Sequence, residues 1–254
     1  MIIIKSKKEI ELMREGGQRL GQIMERLGEI IAPGQNTFEI NKLARKLVFD
    51  MGGTPIFEGY GEPGNAFPAA VCTSINSEIV HGIPKKERII REGDIVKLDI
   101  GMKYKGLITD MARTYPAGKI SDESQKLLDV TRECLDAGIK TIKAGAKLSD
   151  YGKTVENHAK ANGFSVVRDL VGHGVGRELH EDPQIPNYYF PGMREIILRE
   201  GMTLALEPMI NAGTYYIKVL RDGWTYATKD GKLSAHFEDT IVVTKNGVDI
   251  LTRI

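Results

Sequence analysis

Ile95-Val96-Lys97-Leu98-Asp99 and Leu107-Ile108-Thr109-Asp110-Met111 are two apolar runs that each carry one aspartate, with Gly101 to Gly106 between them. Aliphatic and β-branched residues bounded by glycine read as strands, so the two runs predict one β-hairpin. A turn centred on Tyr104-Lys105 would set Asp99 directly opposite Asp110. Opposed side chains on an antiparallel pair have Cβ atoms about 4.5–5.5 Å apart, and like charges there are destabilising. An isolated pair could escape by facing water, but the apolar neighbours argue against exposure. The hairpin therefore calls for something positive between the two carboxylates.

Upstream of the hairpin the pattern is helical. Ser6-Lys7-Lys8-Glu9 has the spacing of a capping box, and Ile10, Met13, Leu20, Ile23, Met24, Leu27 and Ile31 recur at helical intervals up to Pro33-Gly34. A second helix is predicted from about Thr37 to Met51, stopping at Gly52-Gly53, with a strand at Val71 to Ile75 after it. From Ser121 the same order returns: a long helix carrying Leu127, Leu128, Cys134, Leu135 and Ile142, a glycine stop, a shorter helix, then strands. A shift of 111 residues aligns Ile31 with Ile142, Gly34 with Gly145, Lys42 with Lys153 and Gly52 with Gly163. Element order and identities together predict two α/β halves, about 1–118 and 119–254, related by an internal pseudo-twofold with a shared site between them. With no low-complexity linker, the halves are expected to form one domain over 1–254.

The composition fits an ordinary globular chain: 254 residues, 41% hydrophobic, 27% charged, formal net charge +1. So even a balance offers no bulk attraction to nucleic acid or an anionic membrane. Cys72 and Cys134 form no CxxC pair, which points to reduced thiols and a cytoplasmic location. The apolar run Met1-Ile2-Ile3-Ile4 is too short for a signal peptide or a spanning helix.

Two further stretches carry chemistry. Val171-Gly172-His173-Gly174-Val175-Gly176-Arg177-Glu178-Leu179-His180-Glu181 places two histidines in a glycine-rich segment. It fails as a phosphate cradle, because GxGxxG from Gly172 would need glycine where Arg177 stands. Imidazole suits a divalent metal and exchanges protons near neutral pH. Glu207 in Leu204-Ala205-Leu206-Glu207-Pro208 and Glu238 in Ala235-His236-Phe237-Glu238 are carboxylates embedded in apolar, strand-like runs. Buried carboxylates are rare unless paired or metal-bound. Four carboxylates and one imidazole make an oxygen-rich set that suits a pair of Mn, Fe, Co or Zn ions.

Cys72-Thr73-Ser74-Ile75-Asn76, His81-Gly82-Ile83-Pro84, the Asp99/Asp110 pair, Gly172-His173-Gly174-Val175-Gly176, His180-Glu181, Glu207-Pro208 and Glu238 together resemble type I methionine aminopeptidase over essentially the whole chain. The resemblance implies the α+β pita-bread fold, in which two halves with antiparallel sheets and flanking helices meet at the site. It implies removal of N-terminal methionine before a small second residue, with two divalent ions (Co, Mn, Fe or Zn) activating the attacking water. Asp99, Asp110, His173, Glu207 and Glu238 are then the metal ligands, with Asp110 and Glu238 bridging. Glu207 would also shuttle a proton, His180 would stabilise the oxyanion, and His81 would engage the scissile amide. Tyr60, Phe67, Cys72, Leu179 and Trp224 would form the methionine pocket, although Phe67 and Trp224 also fit ordinary core packing and Cys72 a small buried hydrophobe. The implied partners are N-termini of nascent polypeptides, with the ribosome as the place to meet them, for a monomer that needs neither nucleic acid nor membrane.

Leu179 stands where the family often has an aromatic residue, and Asp239 where it often has histidine. His158 reads as a surface or packing residue, and His236, sharing strand parity with Glu238, as structural. The rival readings are an X-Pro peptidase of the prolidase type, which carries a large additional N-terminal domain, and a binding module that has lost its ligands. Type II methionine aminopeptidases carry a helical insertion for which this length leaves little room.

Overall fold

The computed structural model describes all 254 residues and contains four helices. They are α1 (Lys7–Gly28), α2 (Thr37–Asp50), α3 (Asp122–Ile139) and α4 (Leu148–Ala161). Helix α1 begins with the expected capping box: the Ser6 hydroxyl accepts from Glu9 N–H while the Glu9 carboxylate accepts from Ser6 N–H. Helices α2 and α4 occupy residues 111 apart at both ends. Their surroundings repeat as well. Gly34 and Gly145 both adopt positive φ, 91° and 85°, and donate to the carbonyls of Ile90 and Leu198 respectively. The isolated bridges Asn36 to Ile89 and Lys147 to Ile197 are a second matching pair.

Fifteen short strands complete the chain. In the first half they are β1 (Thr54–Pro55), β2 (Cys72–Ile75), β3 (Glu78–Val80), β4 (Ile95–Tyr104) and β5 (Leu107–Pro116). The second half adds β6 (Ser165–Val166), β7 (Gly172–Gly174), β8 (Glu181–Ile185), β9 (Thr203–Leu206) and β10 (Met209–Asn211). Then come β11 (Ile217–Val219), β12 (Tyr226–Thr228), β13 (Ser234–His236), β14 (Glu238–Val243) and β15 (Val248–Ile250). The main sheet runs β1-β4-β5-β14-β9-β7-β8, with β2 also on β4 and β15 on β14, and every pairing is antiparallel. The two halves meet where Glu238 and Asp239 of β14 pair with Ala112 and Met111 of β5. Thr240 reinforces that seam by accepting from Asp110 N–H and donating to Asp110 C=O, at 2.9 and 2.8 Å.

Alternation along the strands decides which residues meet the site. Val96, Leu98, Ile100 and Met102 of β4 pack against Leu20, Ile23 and Ile40 of α1 and α2. Leu204, Leu206, Ile241 and Val243 pack on α3 and α4 in a second core. A third cluster, with Phe57, Phe67, Cys72, Ile108, Leu179 and Val242, lines the concave face between them. Successive side chains of a strand point to opposite faces, so Asp99, Asp110 and Glu238 all fall on the concave side.

The hairpin register differs from the expected one. The turn is Lys105-Gly106, not Tyr104-Lys105: both residues have positive φ, 48° and 89°, the requirement of a type I′ two-residue turn, and Tyr104 pairs with Leu107. Asp99 therefore faces Ala112 and Asp110 faces Gly101, so the two aspartates are diagonal rather than opposed. Diagonal neighbours are about 7–8 Å apart, which leaves more room between them than direct pairing would. The shift is two residues, so both carboxylates keep the same face.

Candidate metal centre and substrate cavity

Five neighbouring strands each deliver one of the expected ligands: Asp99 from β4, Asp110 from β5, Glu238 from β14, Glu207 from the residue following β9, and His173 from β7. Ligand atoms of Asp110, His173 and Glu238 lie within 4.8 Å of one another. Glu207 Oε1 stands 3.6 Å from His173 Nε2. One oxygen each of Asp99, Asp110 and Glu238 is buried with no hydrogen-bond partner. Unpaired buried carboxylate oxygens are costly, and a divalent cation is the partner that would satisfy all of them together.

Electrostatics point the same way. Burial first, then the other carboxylates, pushes Asp99, Glu207 and Glu238 well above the usual carboxylate range, and burial raises Asp110 to about 7. Without a cation these groups retain protons, and binding a metal would displace them. His173 is oriented for the same task. Its Nδ1 donates to Gly174 C=O at 2.9 Å, leaving the Nε2 lone pair toward Glu207. Burial holds its pKa down at about 3, so the ring is neutral.

His81 and His180 stand beside this cluster on the same cavity. His81 takes a left-handed φ of 58°, unusual for a residue with a side chain, and its Nδ1 is buried without a partner. The imidazole sits edge-on to Trp224 and Tyr226, and burial lowers its pKa to about 4. His180 packs edge-on to His173, ring centroids 4.4 Å apart, and its Nδ1 shares a 2.5 Å hydrogen bond with the Tyr60 hydroxyl. The remaining wall is Phe57, Tyr60, Phe67, Cys72, Leu179 and Trp224.

All twelve site residues singled out from the sequence thus line one cavity. Two neighbours were not singled out. Phe57 follows a two-residue strand, and one aromatic in a short apolar stretch carries no periodic signal. His236, expected to be structural, is fully buried with Nε2 3.4 Å from Glu207 Oε2, but neither ring nitrogen makes a hydrogen bond. Burial lowers its pKa to about 3, so it is a neutral neighbour of the cluster. His158 instead pairs with Glu133 at 2.8 Å on the α3–α4 surface.

Asp239 proves unrelated to the pocket. On the face of β14 opposite Glu238 it is fully buried, bridging Arg113 at 2.6 Å and Arg253 at 2.7 Å and accepting from Thr252 Oγ1 at 2.9 Å. Removing one partner of such a group strands the others, so Asp239→Ala should destabilise the metal-free protein by about 3 kcal/mol in denaturant titration. The KM for peptide should stay put, since Asp239 does not line the cavity.

The family model for metallopeptidase family M24 matches residues 11–245. Methionine aminopeptidase 1 of Bacillus subtilis is 46% identical over 254 residues, covering all of both chains. The chain belongs to the methionine aminopeptidases of family M24. The crystal structure of the methionine aminopeptidase from Thermotoga maritima superposes with a TM-score of 0.96 at 44% identity, each chain covered completely. An Xaa-Pro dipeptidase from Bacillus anthracis shares the fold alone, with a TM-score of 0.76 at 23% identity over 99% of this chain and 62% of its own. The architecture is the pita-bread fold, and membership of M24 makes this methionine aminopeptidase relative a metallopeptidase that works with divalent metal.

Proposed function

We infer that this chain removes the N-terminal methionine from polypeptides, with two divalent ions (Mn, Fe, Co or Zn) held by Asp99, Asp110, His173, Glu207 and Glu238. The observation that carries the assignment is the convergence of those five donors, three with an unpartnered buried oxygen, at one end of a cavity with an apolar wall. When bound, such ions lower the pKa of water and polarise a carbonyl.

The protein's own groups do the rest. Glu207, its side chain 13% exposed and its pKa well above the carboxylate range, is placed to take the proton of the attacking water and return it to the leaving amine. With the Tyr60 hydroxyl donating to Nδ1, His180 carries its proton on Nε2, where it stabilises the oxyanion of the tetrahedral intermediate. His81, neutral at pH 7, engages the scissile amide. Phe57, Tyr60, Phe67, Cys72, Leu179 and Trp224 take the thioether side chain, for which aromatic walls are favourable neighbours. A free α-amino group would bind one of the two ions, which would confine the reaction to chain ends.

The substrates are nascent polypeptides with a small second residue, met at the ribosome. The working form is a cytoplasmic monomer, with 1–254 as one catalytic unit. No helix is long and apolar enough to cross a membrane. Metal-loaded protein should release methionine from Met-Ala-Ser with Mn, Fe, Co or Zn while leaving Ala-Pro-Ser intact. Cleavage of Ala-Pro-Ser alone would replace this reading by an X-Pro peptidase.

A further inference from the structure

Glu181 directly follows His180, and nothing assigned so far uses it. Its side chain is only 4% exposed, yet it is fully partnered. Oε1 accepts from Arg177 N–H at 2.6 Å and Glu178 N–H at 3.2 Å, and Oε2 accepts from the ammonium of Lys5, itself completely buried. Lys5 comes from the opposite end of the chain, anchored by its N–H to Gly201 C=O at 2.9 Å. Its stem lies across Gly176, where a Cβ would meet Lys5 Cε at 2.4 Å and where φ is +148°. Only glycine allows both the backbone turn and the passage of the lysine.

The consequence is a loop closed at its base. Gly174 pairs with Glu181 across β7 and β8, and residues 175–180 between them carry Leu179 and His180 to the cavity. Gly176 C=O accepts from Ile108 N–H at 2.6 Å, which ties the loop to the strand bearing Asp110. The outer link, Arg177 to Glu9, is an exposed pair of the kind that contributes little. What organises the turn from inside is the Glu181 carboxylate, and a carboxylate that dry needs a counter-charge.

We propose that Lys5 is a positioning residue for His180, acting through the Glu181 carboxylate that shapes the 176–181 turn. The proposal rests on the reading of His180 as the oxyanion donor. Without the ammonium, the Glu181 carboxylate loses its counter-charge and must turn to water, and the turn that presents His180 opens with it. Catalysis depends on placement to within about an ångström. The five proposed ligands lie outside the 176–181 turn, the nearest in sequence being His173 on β7, which Ala205 of β9 holds by strand pairing.

The test uses the full-length, Mn-loaded protein with Met-Ala-Ser in four forms: parent, Lys5→Met, His180→Ala and the double variant. Lys5→Met should lower kcat about 10- to 100-fold with Mn content unchanged and KM within about threefold. In the His180→Ala background the same substitution should change kcat by less than about twofold, because the group it positions is gone. A Lys5→Met enzyme with parental kcat would overturn the proposal. So would an equal loss in both backgrounds, which would mean a general effect on the fold. Should Lys5→Met not fold, Lys5→Met/Glu181→Gln takes its place under the same two criteria, since the glutamine oxygen keeps both amide bonds without a buried charge. His180→Ala alone reports on the underlying assignment: parental kcat there removes His180 from the chemistry, whatever Lys5 does.

Discussion

Treated with a chelator, the protein will lose its peptidase activity and will become less stable as the pH is raised from 6.5 to 8. The cause is the set of carboxylates that share the site. Asp110 is raised to about 7, and Asp99, Glu207 and Glu238 stand well above the carboxylate range, first through burial. In the unfolded chain they titrate near 4. The folded state therefore holds protons that the unfolded state has released, and stability falls with pH until each folded pKa is passed. Histidines act in the opposite sense. His173 and His236 are lowered to about 3 and His81 to about 4, so they penalise folding below their unfolded pKa of about 6.5 and are silent above it. Between pH 4 and 6.5 the two sets offset each other, whereas above 6.5 the carboxylates are opposed by Lys97, which burial lowers to about 7, and they outnumber it. Each one still protonated contributes a slope of roughly 1.4 kcal/mol per pH unit. Added Mn displaces those protons, so the downward slope from the carboxylates should disappear and the melting temperature rise. Unfolding curves of chelated and Mn-loaded protein at pH 6.5 and 8 are the measurement. Chelated protein that melts identically at both would mean that the carboxylates do not share one dry site.

His81→Ala will retain its metal and its fold and lose most of its turnover, by about 10²- to 10³-fold in kcat. The left-handed backbone at His81 costs of order 1 kcal/mol and is held from both sides. Thr73 N–H donates to Gly82 C=O at 2.8 Å, and Gly82 N–H to Ser74 Oγ at 3.0 Å. Those bonds are to Gly82 and survive loss of the imidazole. The ring, unpartnered at Nδ1 and neutral at working pH, is the part that faces the cavity. Metal content by elemental analysis should match the parent, since His81 is outside the cluster of Asp110, His173 and Glu238. Unchanged kcat on Met-Ala-Ser would remove His81 from the mechanism.

What could be read from the chain followed from local rules. Ser6 and Glu9 announce α1 because a capping box is local, and the 111-residue repeat locates α2 and α4. The site carboxylates were visible because charge inside apolar strand runs is a contradiction that needs resolving. The hairpin register was missed by two residues, although the signal lay in Lys105-Gly106, because lysine is an uncommon choice for a position with positive φ. Two-residue strands such as β1 and β6 are too short for any period. The environment of Asp239 needed Arg113, Thr252 and Arg253 brought in from distant segments, and Lys5 with Glu181 joins residues 176 apart. Long-range pairs of that kind leave no pattern in a single sequence.

The repeat also bears on how the ligand set came to be divided. Ile90 and Leu198 are 108 residues apart, as are Gly93 and Gly201, which donate to Ala117 C=O just past β5 and to Val243 C=O at the end of β14, and as are Asp99 and Glu207. Asp99 and Glu207 thus hold matching places in the two repeating segments. A site built across such an axis has the geometry of a homodimer interface made permanent by a peptide bond. Tethering replaces subunit concentration with an effective local concentration in the millimolar range, so a metal centre held across that seam would not fall apart on dilution. It also frees the copies from identity: one could shorten its carboxylate to aspartate while the other kept a glutamate long enough to reach His173 and His236. An obligate symmetric dimer has no such freedom, since every change would appear twice.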